Sequence, residues 1–172
     1  MITEQIVDET WQEVADWPED KAIEEMMSLA VRQPHLLAFV TAHGEEMSED
    51  GAELAVYLCF NVVRMFEKGI GELKPVPADA ILKRFEANDQ LLSGLSEAHP
   101  KFFEQVARAS IDRQPHVMGY VVAAILEEPE DEPLDIEEDE YGTIFLVLLT
   151  VVDVLDEGAG KKKTNRTSNI EH

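Results

Sequence analysis

Two copies of one four-residue string carry the side chains best suited to chemistry in this chain. Arg32-Gln33-Pro34-His35 returns as Arg113-Gln114-Pro115-His116, 81 positions later. An arginine offers a planar fork of donors that fits a carboxylate or a phosphate, and a histidine adds a titratable donor or acceptor beside it. If Arg32, His35, Arg113 and His116 converge on one cleft, they form a local positive island able to hold a carboxylate, a phosphate or an acidic peptide. The competing reading is structural. The residue before a proline is pushed out of the helical region, and the proline itself suits the first turn of a new helix. On that reading Gln33 and Gln114 cap, while the arginines and histidines close off carbonyls at a helix end. Turn chemistry then accounts for every residue of the string except the histidine.

Carboxylates are the other reactive groups. Glu46 and Glu49, Glu86 and Asp89, Glu137 and Glu140, and Asp153 and Asp156 stand three apart, so each pair shares one helical face if helical. These spacings loosely resemble the paired acidic helices that hold magnesium in all-helical nucleotide pyrophosphohydrolases. The resemblance implies a magnesium-dependent hydrolase with its site between two halves of the chain. Asp153 and Asp156 are its best candidate metal ligands, because they follow the most apolar segment; otherwise they are a charged helix end reaching solvent. With 36 acidic residues, such pairs also arise by chance. A di-metal bundle needs Glu-x-x-His on facing helices, and no Glu lies three positions before any of the five histidines. His-Glu-x-x-His, P-loop, Rossmann and Gly-x-Ser-x-Gly patterns are absent. Residues 127–140 contain ten carboxylates in fourteen positions without an EF-hand pattern. They read as a solvated insertion or a docking strip for a basic partner. Cys59 lies in an apolar segment with no basic neighbour, the setting of an inert buried thiol. No cofactor is expected.

Charge bounds the partners. Thirty-six acidic residues against 14 basic ones give a formal net charge of −22. Such a body repels phosphate backbones and anionic bilayers, so neither nucleic acid nor membrane is expected as a partner. A basic protein is the compatible one. One cysteine allows no internal disulfide, which fits a reducing cytoplasm. The start of the chain carries no basic and apolar leader pattern. The longest apolar run, 143–152, falls well short of the roughly 20 residues a membrane span requires.

The elements that must position these residues are all helical. Ile2, Ile6, Val7, Trp11 and Val14 recur at helical spacing. Asp16-Trp17-Pro18 ends that segment, and a second helix runs to about Arg32 with Ala22, Ile23, Met26, Met27, Ala30 and Val31 inward. The third follows Pro34 and stops at Gly44. The fourth spans about 51–68, apolar nearly all round, and Gly69 is its expected cap. After a glycine- and proline-rich linker at 70–77 the pattern restarts. Helices are expected at 78–95, 100–112, 117–126 and 141–157, the last capped by Gly158. Asn61-Val62-Val63 falls on Thr150-Val151-Val152 and Gly69 on Gly158 at an offset of 89; the acidic insertion absorbs the difference from 81. The expected architecture is all-α, about eight helices in one domain, 1–158. It consists of two tandem four-helix halves, 1–69 and 78–158, related by a pseudo-two-fold or stacked like a solenoid. A disordered basic and polar tail follows at 159–172. The leading functional reading is a non-enzymatic protein–protein interaction or adaptor module.

Overall fold

The structure is a computed structural model describing residues 1–96, 113–127 and 135–170. Among these residues there are seven helices and no strand. Helix α1 (Glu4–Ala15) starts where the Thr3 hydroxyl accepts the Ile6 N–H at 3.2 Å, and it buries Val7, Thr10 and Val14 along one stripe. Helix α2 (Glu19–Arg32) places Glu19 and Asp20 at its positive end. Its inward face differs from the expected one. Leu29 is buried and Met26 half-buried, whereas Ile23, Met27 and Val31 are 54%, 69% and 81% exposed. This helix lies outside the bundle and packs mainly on α3, so a narrow stripe suffices.

Helix α3 (Pro34–Gly44) opens on its proline and buries Leu36, Phe39 and Val40. Its end at Gly44 matches expectation, and the absent side chain there lets α3 approach Ala52 closely. Helix α4 (Glu49–Ile70) buries every residue from Leu58 to Val63, then Met65 and Phe66. Gly69 does not cap it. The helix continues to Ile70, and Gly71, at φ +103°, makes the left-handed exit that glycine tolerates. Gly69 instead leaves room for Ile2, whose Cδ1 would lie 2.4 Å from an added Cβ.

Helix α5 (Ala78–Ser96) follows the linker and buries Ile81 and Asn88. Helix α6 (Pro115–Leu126) buries Val117, Met118, Val121 and Ile125. Helix α7 (Glu138–Ile170) is fully buried from Ile144 to Leu155. It also overrides an expected stop. Gly158 stays helical, so it does not form the cap expected there, and the helix runs through Ile170. A glycine in a helix interior costs about 1 kcal/mol but ends the helix only when the chain turns left-handed. The helix expected at 100–112 lies outside the described residues.

Helices α4 and α7 form the centre and run in the same direction. At their N-terminal ends the Ser48 N–H and hydroxyl donate to Glu140 Oε1 and Oε2 at 2.7 and 2.8 Å. Near their C-terminal ends Gly69 abuts Ile2, whose neighbour Gln114 reaches Asp156. Helices α1 and α3 cover α4, while α5 and α6 cover α7; α1 also packs on α6, and α3 on α5. No helix among the described residues is long and apolar enough to cross a membrane.

The Ser48 hydroxyl also accepts the Gly51 N–H at 3.1 Å, so one side chain caps α4 and ties it to α7. Ser48→Ala is expected to lower stability by about 1 kcal/mol in urea unfolding, the usual cost of a lost cap. The two Ser48 donors hold the Glu140 carboxyl below the usual carboxylate range. The same variant should let it rise toward that range in an NMR titration.

Candidate functional site

The repeated string folds alike in both places, but its glutamines do the structural work. Gln33 sits at φ −135°, ψ 64° and Gln114 at φ −138°, ψ 71°, each immediately before a helix that opens on proline. Both are buried, at 1% and 2% exposure. Neither side chain caps its own helix, contrary to the expectation. Each reaches a distant segment instead. Gln33 Oε1 accepts the Val76 N–H at 3.0 Å and its Nε2 donates to the Lys74 carbonyl at 3.0 Å. Gln114 Oε1 accepts the Ile2 N–H at 2.9 Å and its Nε2 donates to Asp156 Oδ1 at 2.8 Å. Ile2 and Val76 each stand two residues before the first residue of a helix, α1 and α5. A carboxamide suits this role because it supplies a donor and an acceptor without a charge to desolvate.

The charged members of the string are held separately. Arg32 is paired bidentately with Glu67, at 2.9 and 3.1 Å, and also donates to Ser28. His35 and Arg113 are exposed, and His116 is half-buried. Asp153 and Asp156 likewise have individual partners. The Asn88 amide donates to Asp153 Oδ2 at 3.1 Å and to Thr150 Oγ1 at 3.3 Å, while Thr150 donates to the Leu146 carbonyl at 2.9 Å. Burial pushes the Asp153 carboxyl above its ordinary value; the Asn88 hydrogen bond and the positive charges of Arg84 and Arg113 oppose that rise. Asp156 accepts from Gln114. Among the described residues no group of three or more His, Cys, Asp or Glu is placed to hold a metal ion. Cys59 is fully buried, which pushes its thiol up to about 12, so it is not a thiolate near neutral pH.

An open groove of about 420 Å³ runs between α1 and α6. Its size falls within the range of small-ligand clefts. Trp11 and Tyr120 form its aromatic walls, and Gly119, Ala123 and Ala124 keep it open along α6. Carboxylates of Glu4, Asp8 and Glu127 also line it, together with His116. Trp11 is 37% exposed and its indole N–H donates to Asp8 Oδ1 at 3.4 Å. Tyr120 is half-buried, and burial and nearby Tyr57 keep its phenol protonated well above the usual range. Of the four residues expected to converge, His116 lines this groove and Arg32, His35 and Arg113 do not. The sequence signal for the groove was Asp8 and Trp11 three apart on α1; what it faces depends on how α1 meets α6. Compared with family models, curated proteins and solved structures, the chain matches none.

Two outcomes test these contacts. Gln33→Leu and Gln114→Leu retain bulk but leave the Val76 or Ile2 N–H without its acceptor. Each should cost about 1–3 kcal/mol in urea unfolding. For Asp153 the sign follows from its raised folded value. Its contribution is fully present below the unfolded value and is lost as pH rises through the folded one. Asp153→Asn should therefore be more stable than the parent at neutral pH, with the difference vanishing as pH falls below about 4.

Proposed function

We propose that this chain is an internally duplicated, non-enzymatic interaction module that seats a cationic segment of a basic partner protein in the α1/α6 groove. The halves are 1–69 and 78–158. Several observations support the duplication. The two glutamines share backbone geometry and a buried setting. Each glutamine of one half holds the residue that leads into the first helix of the other half. The helix packing exchanges consistently: α1 on α4 corresponds to α5 on α7, and α1 on α6 to α5 on α3.

One observation carries the functional reading: two aromatic walls and three carboxylates line the same open groove. A lysine or arginine side chain suits that combination. Its aliphatic stem packs on the rings, its charge gains about 0.5–2 kcal/mol over an aromatic face, and the carboxylates meet its donors. The net charge of −22 attracts a basic partner from a distance and hastens encounter. Arg32 and Arg113, by contrast, lie among acidic groups and offer an acidic ligand little surplus positive charge.

A blocked oligolysine peptide tests the proposal. In a Trp17→Phe background, Trp11 fluorescence should change on titration, and the affinity should weaken as salt is added. Trp11→Ala should weaken binding about tenfold, equivalent to about 1.4 kcal/mol, when followed by calorimetry. Blocked oligoglutamate should not bind. Absence of oligolysine binding at low salt, or an unaffected Trp11→Ala variant, overturns the proposal.

A further inference from the structure

The proposed duplication implies a second groove between α5 and α3. Extending the 81-residue offset along α3 and α6 pairs His35 with His116, Ala38 with Gly119, Phe39 with Tyr120 and His43 with Ala124. Aligning the clamped residues Ile2 and Val76 pairs Val7 with Ile81, Asp8 with Leu82 and Trp11 with Phe85. Val7 and Ile81 are both buried, as matching positions should be. The corresponding cleft is filled. Phe39 meets Phe85 at 5.4 Å between centroids and 70°, His43 meets Phe39 at 4.9 Å and 73°, and His43 meets Phe85 at 4.6 Å. Three rings in mutual contact occupy the space that the other groove leaves open.

We infer that the α3/α5 cleft is the closed counterpart of the α1/α6 groove, and that position 43/124, His against Ala, decides which cleft admits a cationic side chain. The inference rests on the proposed duplication and on the cationic ligand. Within α3, His43 lies four residues after Phe39 and therefore meets it edge-on, wedging against Phe85 across the cleft. In α6 the same position is Ala124, four residues after Tyr120, and a methyl group cannot bridge Tyr120 and Trp11. Gly119 adds room, since an added Cβ there would meet nothing within 4 Å. Charge follows the same division. Glu4 and Asp8 of the open groove correspond to Ala78 and Leu82, and Leu82 stands 60% exposed. The third carboxylate, Glu127, falls on Glu46, so the closed cleft lacks the space and two of the three carboxylates, and the chain takes one cationic segment rather than two.

The test uses the full chain labelled with 5-fluorotryptophan. Ala124→His should shift the Trp11 fluorine resonance without ligand and make it titrate with the introduced imidazole, while Trp17 stays unchanged. Oligolysine affinity should fall at least tenfold, whereas Ala124→Ser should bind like the parent. An unshifted Trp11 resonance, or parental affinity in Ala124→His, overturns the inference while leaving the cationic reading intact. Failure of the parent itself to bind oligolysine overturns the cationic reading. The Trp11 resonance alone then decides whether position 124 closes the groove.

Discussion

Two neighbouring helices that bury nearly their whole circumference set the terms for this molecule. Helix α4 is continuously buried from Leu58 to Val63, and α7 from Ile144 to Leu155. Such helices are unstable unless covered on every side, and most helical stability in proteins comes from that coverage. Helices α1, α3, α5 and α6 act as the cover. Because α4 and α7 run in the same direction, their positive ends lie together and their dipoles repel. Glu140 answers this at the N-terminal end, where its carboxylate accepts both Ser48 donors.

Coverage must also be fixed in place, and the glutamines do this at the opposite end. Each buried carboxamide holds the backbone just ahead of a covering helix. Neutrality matters there: a carboxylate or a cation would bring a desolvation penalty that one or two hydrogen bonds do not offset. The ion pairs themselves remain partly wet. Lys68 and Arg64 hold Glu13 below the usual carboxylate range, and Arg84 pairs with Glu157 with the polarity of the two helices reversed. Arg64 also lies over the Trp17 ring, 4.7 Å from its centroid, where the ring packs edge-on against Phe60.

The proposed function grows from the same scheme. Two covering helices that meet only along part of their length leave a groove, and the side chains at the seam decide whether it stays open. On one side three rings interlock. On the other, small residues of α6 face an exposed tryptophan near carboxylates. On the proposed duplication, divergence at the seam would give one binding face while the core is kept.

The sequence by itself determined the all-helical class, the two central apolar helices and most helix starts, because periodicity, prolines and caps act over a few residues. Thr3, Ser48, Pro34 and Pro115 begin helices for local reasons. Helix ends were less legible. Gly69 and Gly158 stay helical because a glycine permits a left-handed exit without requiring one. The exposed Ile23, Met27 and Val31 share that origin, since periodicity marks an apolar face but not whether a neighbour covers it. Only the tertiary structure decided that Gln33 and Gln114 clamp remote backbone, and that Trp11 and Tyr120 face one groove. Those relations join residues distant in the chain, and their geometry depends on how helices pack rather than on where they begin.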